Sequence, residues 1–321
     1  MNKSFVKFLK IAIPLGLGVF LIYYSYSKFT TDQLDEIAFY FKKADYKIVA
    51  LSVFFSLLSH ISRAYRWSFM LEPLGFKPKI LNNFMAVYIA YLMNLFIPKS
   101  GEISRAVVIN KYENVPFDKA FGTIISERVV DLFFLFGFTA IALLLQFNIL
   151  SQYLVEELPI NTLLILGTIL VFFGITFLLF LKYSKSELNQ KIKKFISGLK
   201  EGILSIGKMK KKIPFIIHSF LIWGLYLLSF YTATFALDET SSIAFSTLII
   251  TFVVGSFSFA FTNSGFGSYP FFVAGILAVF GVSETVGTAF GWIVWTSNIA
   301  SIIFFGGLSF LLLPFYNRNN K

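Results

Sequence analysis

The chain has 321 residues, of which 56% are hydrophobic, 19% aromatic and only 14% charged. So few polar groups cannot cover a soluble domain, and the apolar residues gather into blocks close to the roughly 20 residues that a membrane-crossing helix needs. Cysteine is absent, which excludes disulfides, thiolate metal sites and a cysteine nucleophile, while a net charge of +11 sits mostly in connecting segments and so argues for a membrane surface rather than nucleic acid.

None of the apolar blocks alternates with period two, so helices rather than barrel strands are expected. The first block, 11–26, follows Lys3, Lys7 and Lys10; no small-residue cleavage site precedes Lys28, and the block reads as a retained anchor. The second, 46–71, carries Ser62-Arg63-Ala64-Tyr65-Arg66-Trp67 near its end. Arg63 and Arg66, three apart, share a helix face; they either serve a function there or snorkel to the cytoplasmic interface beside Trp67, Arg66 more readily because it is nearer the end. The third block, 81–97, is shorter and is stopped by Pro98, Ser100 and Gly101. The fourth, 117–147, holds Glu127, Arg128 and Asp131 about 15 to 20 Å along its axis, where snorkelling is hard. Glu127 and Asp131, four apart, can jointly hold a cation, a proton or an arginine.

A fifth block, 162–183, leads into 182–212, where ten lysines face only Glu187 and Glu201. This reads as a cytoplasmic loop touching anionic lipid, either a solvated basic linker or, over 188–206, an amphipathic helix on the membrane. Apolar blocks at 213–237, 242–262, 269–280 and 283–313 follow, with Asn263-Ser264-Gly265-Phe266-Gly267-Ser268 between the second and third of them. His60 and His218 are lone histidines on apolar helices and read as core or interface residues rather than metal ligands.

Charge sets the topology. The N-terminus, the basic loop and the tail at 318–321 go inside, and the connections with Asp32, Asp35 and Glu36, with Glu156 and Glu157, and with Asp238 and Glu239 go outside. This leaves one crossing for two blocks in each of two places. The blocks broken at Pro98 and at Ser264-Gly265 are therefore expected to be re-entrant hairpins, with tips at 97–105 and 263–268. The expected fold is an all-α polytopic membrane bundle, one domain over 1–321, with about six full spans and two hairpins. Its half-repeats, about 46–150 and 213–314, have opposite orientation, an arrangement that places a transporter's site where the broken helices meet.

Only five arginines occur, and four of them, Arg63, Arg66, Arg105 and Arg128, lie in or beside the apolar blocks of the first half. Arginine grips phosphate or carboxylate with a planar fork and stays charged when partly desolvated. Pro98, Gly101, Glu102 and Arg105 add a broken backbone, a carboxylate and a guanidinium at the first hairpin, which points to a polar pocket. A salt-bridge network of Glu127 and Asp131 with Arg105 or Arg63 is the purely structural alternative.

The run Asn94-Leu95-Phe96-Ile97-Pro98, Ser100-Gly101-Glu102, Arg105, Ser126-Glu127-Arg128 and Asp131 resembles the lysyl-phosphatidylglycerol synthase transmembrane-region family, also called the flippase-like domain family. Arg63 and Arg66 ahead of Leu74-Gly75, and Ser264-Gly265-Phe266-Gly267, extend the resemblance over about residues 7–314. It implies a module that moves or accommodates lipids, in some members translocating aminoacylated phosphatidylglycerol between leaflets. In bifunctional members a separate soluble domain makes that lipid; with the last apolar block ending near Lys321, a stand-alone module without that synthase domain is expected. Two departures stand out: Gly267-Ser268-Tyr269-Pro270 lacks the glutamate that typically follows the second-half glycines, and an arginine common in the last helix is replaced near Trp295 and Thr296.

The leading expectation is a lipid or lipid-linked-substrate transporter in a cytoplasmic (inner) membrane. Arg63, Arg66, Arg105 and Arg128 would engage phosphate, Glu102, Glu127 and Asp131 would balance them or carry a proton, and Pro98, Gly101, Ser264, Gly265 and Gly267 would shape the path. Its partners would be membrane lipids, chiefly anionic phospholipid, with a second copy or an envelope-biosynthesis enzyme as protein partner; no cofactor, metal or nucleic acid is expected. An intramembrane lipid-modifying enzyme using Glu127 or Asp131, and a non-catalytic membrane scaffold, are the alternatives.

Overall fold

The computed structural model describes residues 3–147, 160–184, 186–190, 192–193 and 209–318. It is all-α and polytopic. The helices are α1 (Lys3–Ser27), α2 (Thr31–Lys43), α3 (Tyr46–Leu71), α4 (Ile80–Phe96), α5 (Gly101–Glu113), α6 (Phe117–Leu145), α7 (Ile160–Tyr183), α8 (Lys212–Thr234), α9 (Asp238–Ser241), α10 (Phe245–Phe261), α11 (Ser268–Val279) and α12 (Glu284–Tyr316). Four apolar stretches, Tyr46–Leu74, Phe117–Leu145, Lys212–Thr234 and Glu284–Tyr316, are long enough to cross a membrane. The amphipathic stretch expected at 188–206 falls almost wholly outside the described residues.

Local chemistry sets several boundaries. Asp45 caps α3 by accepting from the amides of Lys47 and Ile48, two of the donors a helix start leaves unpaired. The acidic connection after the first block proves to contain a helix of its own, α2, opened by a capping box in which Thr30 and Gln33 each satisfy the other's backbone amide.

The core of the bundle is the antiparallel pair α3 and α8, the most extensive helix contact in the molecule. Small residues let the two backbones approach: Ser52 Oγ donates to the Ser229 carbonyl at 2.8 Å, and Ser229 Oγ donates to the Ser52 carbonyl at 2.8 Å. Around this pair stand two broken helix pairs, α4 with α5 and α10 with α11. At 1.5 Å per residue their arms are about 18 to 26 Å long, shorter than a hydrocarbon core of about 30 Å.

The first break lies at 97–100, so α5 already begins at Gly101. This corrects the expected tip at 97–105: Glu102 and Arg105 lie in the first turns of a regular helix. Pro98 and Lys99, with φ of 61°, end α4, and Ser100 Oγ donates to the Met93 and Ile97 carbonyls, which also accept from the amides of Ile97 and Ser100. Gly101 is required by space, because a Cβ there would stand 2.2 Å from the Ala90 carbonyl oxygen.

The second break holds three positions of positive φ within four residues: Ser264 at 53°, Gly265 at 75° and, after Phe266, Gly267 at 67°. A Cβ on Gly267 would meet the Gly18 carbonyl oxygen at 2.2 Å, so α1 seats directly on this break. The two breaks also touch each other, since Asn263 Nδ2 donates to the Leu95 carbonyl at 3.0 Å.

The element spacing of the two halves matches closely. Helices α3, α4, α5 and α6 start at 46, 80, 101 and 117, and α8, α10, α11 and α12 start at 212, 245, 268 and 284. Packing matches too: α4 lies on α12, and α10 lies on α6.

Candidate functional site, a buried arginine–carboxylate cluster

Three elements bring the charges together. Helix α3 supplies Arg63 and Arg66 from one face, α5 supplies Glu102 and Arg105, and α6 supplies Glu127, Arg128 and Asp131. Glu127 and Asp131 point the same way because they are four apart. Arg63 Nη1 donates to Glu127 Oε1 at 2.7 Å and to Asp131 Oδ2 at 2.5 Å. Arg66 Nη2 donates to Asp131 Oδ1 at 2.8 Å and stands 3.2 Å from Glu127 Oε1. Arg105 grips Glu127 with both arms of its fork, Nη1 to Oε1 at 3.1 Å and Nη2 to Oε2 at 3.0 Å. Two carboxylates thus hold three guanidinium groups.

These groups are shielded from the surroundings. Arg66 and Glu127 are fully buried, and Arg105 and Arg63 expose only 2% and 3%. Arg66 is therefore not a snorkelling residue, which corrects the sequence expectation. Helix α8 covers the end of α3, placing Ser219 Oγ 3.2 Å from Arg66 Nη1 and the Phe215 ring 5.7 Å from its guanidinium carbon. Arg105 lies 3.9 Å over the Trp67 ring, and Trp67 is itself held by its Nε1 donating to Thr123 Oγ1 at 2.9 Å. Charges removed from water in this way are tolerable only when paired and hydrogen-bonded. Here the pairing is incomplete: the Nε atoms of Arg63, Arg66 and Arg105 are buried without a hydrogen-bond partner among the described residues.

Glu102 and Arg128 form the rim. Arg128 Nε donates to Glu102 Oε1 at 3.1 Å, with side chains 36% and 20% exposed, and Arg128 Nη1 stays 3.6 Å from Asp131 Oδ2. Of the other residues singled out in the sequence, Pro98 and Gly101 shape the break that delivers Glu102 to this rim and Arg105 to the buried cluster. Ser264, Gly265 and Gly267 lie outside the cluster. Trp295 Nε1 donates to the Ser264 carbonyl at 2.9 Å, and Gly265 N donates to Thr262 Oγ1 at 3.2 Å.

Several supporting residues went unread in the sequence. Trp67 and Ser219 look like ordinary interface and helix residues until the fold places them on arginines, and Asn263 gives no signal that it links the two breaks. His60 is packed among Tyr88, Tyr91 and Tyr226, with ring centroids 5.1, 4.6 and 5.8 Å away, and Ser62 Oγ lies 2.8 Å from His218 Nδ1. Both histidines are thus core contacts of the kind expected.

Residues 9–306 match the family model described as the lysylphosphatidylglycerol synthase TM region. A UPF0104 membrane protein of Pyrococcus horikoshii is 25% identical over 59% of this chain and 64% of its own length. A UPF0104 membrane protein of Methanocaldococcus jannaschii is 28% identical over 51% of the chain and 48% of its own length. The glycosyltransferase AglD of Haloferax volcanii is 30% identical over 31% of the chain and 16% of its own length. The matched regions thus span from about half to just under two thirds of the first two relatives. No solved structure matches.

Proposed function

Because the chain belongs to the lysylphosphatidylglycerol synthase TM-region family, we propose that it is a flippase-like transporter of phospholipids or lipid-linked substrates, with the arginine–carboxylate cluster as its headgroup site. The observation that carries this reading is the cluster itself, four guanidinium groups against three carboxylates beside a broken helix. A structural ion-pair network would be expected to balance its charge and satisfy its donors, whereas this one has a cation to spare and three buried Nε donors unused. A lipid phosphate is the anion a membrane supplies in quantity.

In this reading the α4–α5 and α10–α11 pairs enter the membrane from opposite faces and return, and the two halves form an inverted repeat whose broken helices meet near the midplane. The matched element spacing and the Asn263 to Leu95 contact support that arrangement. Short arms give a charged headgroup a polar route through a medium that otherwise penalises it by several kcal/mol. The carboxylates serve as counter-charges rather than proton carriers, since each oxygen of Glu127 and Asp131 already faces a guanidinium. Lysine bias in the sequence supports a cytoplasmic-type membrane with both termini inside.

The test is to purify the protein in native lipid particles and identify the co-purifying lipids by mass spectrometry, alongside Arg128→Gln. Arg128 is the most exposed guanidinium of the cluster, and its removal leaves the pairing of Glu127 and Asp131 with Arg63, Arg66 and Arg105 in place. Enrichment of one phospholipid class with the wild type, lost from the variant at equal folding, is expected. A bulk-membrane lipid profile in both would remove the basis for a headgroup site and favour a scaffold.

A further inference from the structure

We propose that Glu102 is a displaceable latch on Arg128, and that the ligand which displaces it is a monoanionic phosphodiester. This deepens the headgroup reading above and rests on it.

The cluster divides into a locked part and a movable part. Arg63, Arg66 and Arg105 are at most 3% exposed and are held by Glu127 and Asp131, so none can turn towards a ligand without giving up a buried ion pair. Arg128 is held more loosely. Its side chain is 36% exposed, among the described residues its one hydrogen bond runs from Nε to a single oxygen of Glu102, and Asp131 Oδ2 stands 3.6 Å from Nη1. Glu102 is the second residue of α5, directly after the Gly101 junction, where a carboxylate can swing outwards with little disturbance of the helix behind it. A one-point bond of this kind is the weakest link in the network, and the two non-bridging oxygens of a phosphodiester fit a guanidinium fork better.

Charge then selects the ligand class. Four guanidinium groups against three carboxylates leave one positive charge over. A phosphodiester brings one negative charge and neutralises the cluster with Glu102 still close by. A phosphomonoester, which carries nearly two negative charges at neutral pH, overshoots and is repelled by Glu102 and Asp131. The site should therefore prefer a diacylglycerol phosphodiester over phosphatidic acid.

The experiment is a titration of the detergent-purified full chain with dioctanoyl phosphatidylglycerol. Glu102→Gln, which removes the competing charge, is expected to tighten binding by about five-fold, and Arg128→Gln to weaken it by about ten-fold or more, the scale of one charge-assisted contact. Glu102→Asp, one methylene shorter, should tighten binding by a smaller factor and covers the case in which the glutamine variant folds poorly. If Glu102 merely braces α5 against α6, both variants bind with unchanged or lower affinity, and that result overturns the latch. Dioctanoyl phosphatidic acid binding more tightly than phosphatidylglycerol overturns the monoanion preference. Dimethyl phosphate, the same anion without chains, should compete only weakly; equal competition would mark a site for soluble anions and overturn the lipid source. The titration does not read transport, so a latch that behaves as expected in a protein that moves no lipid contradicts the transporter reading alone.

Discussion

The two halves of the molecule share a framework and differ in chemistry. Counted from the first residue of each helix, Arg63 and Arg66 of α3 take the places of Ser229 and Thr232 in α8, and Glu102 of α5 takes the place of Tyr269 in α11. Glu127, Arg128 and Asp131 of α6 correspond to Val294, Trp295 and Asn298 of α12. Arg105 of α5 corresponds to Phe272 of α11, so every charge of the cluster has a neutral counterpart in the second half. The neutral half closes its break with hydroxyls and an indole: Ser258, Thr262 and Ser268 bond to one another, and Trp295 holds the Ser264 carbonyl. The lesson is that the broken-helix framework does not depend on the ion pairs. What the first half adds at considerable desolvation cost is a cluster of buried charges, and such charges within a membrane are candidates for function.

The sharpest way to break this comparison is to remove Glu127, which alone engages Arg63, Arg66 and Arg105. Glu127→Ala should destabilise the protein by about 3–5 kcal/mol by leaving the buried Arg105 without a carboxylate and Arg63 and Arg66 sharing Asp131 alone. Its counterpart Val294→Ala should cost only about 2 kcal/mol, the loss of two buried methyl groups. Thermal unfolding of both in detergent measures the difference, and equal losses would deny that the halves differ in kind.

Charging the neutral half probes the same contrast from the other side. Asn298 accepts from Ser56 Oγ at 3.2 Å and donates to the Val294 carbonyl at 2.9 Å. Asn298→Asp loses that donor and sets a carboxylate against a carbonyl, for an expected cost of about 2 kcal/mol. In glycine, by contrast, the halves agree. Gly267→Ala should cost at least about 1–3 kcal/mol from its left-handed backbone and the contact with Gly18. Gly101→Ala should fail comparably, because it lacks space against Ala90. Protease susceptibility at the breaks would read both.

The smallest effect concerns the rim of the second half, where Lys43 on α2 reaches Glu239 at 2.8 Å and Asp238 at 3.2 Å on α9. Bonding to Glu239 and then to Asp238 raises the Lys43 pKa above its ordinary value. The stabilisation is therefore complete below the ordinary lysine range and disappears as pH rises through the raised pKa. Lys43→Ala should lower Tm slightly at neutral pH and make no difference in strong alkali.

Much of this was legible in the residues. Pro98 and the Ser264-Gly265 run announced two breaks, and Glu127 with Asp131 announced a deep pair in need of arginines. What stayed hidden depended on packing. Spacing alone could not tell that α8 would cover the end of α3, so Arg66 read as an interface residue although Phe215 and Ser219 enclose it. The start of α5 was misread because Ser100 and Gly101 resemble a continuing turn, while the side-chain bonds of Ser100 and Asn94 actually close the break there and let the helix resume. Helix α2 was signalled by Thr30 and Gln33 but lay in a stretch read only for its acidity.

The central claim, that the charged half carries a lipid headgroup and the neutral half does not, is tested most directly in proteoliposomes. The movement of a fluorescent phosphatidylglycerol between leaflets would be followed for the wild type, Arg128→Gln and the counterpart Trp295→Phe at equal folding. The account predicts that Arg128→Gln slows movement by about ten-fold or more, while Trp295→Phe stays within about two-fold of the wild type. Equal rates for all three proteins, or a greater loss from Trp295→Phe, would contradict it.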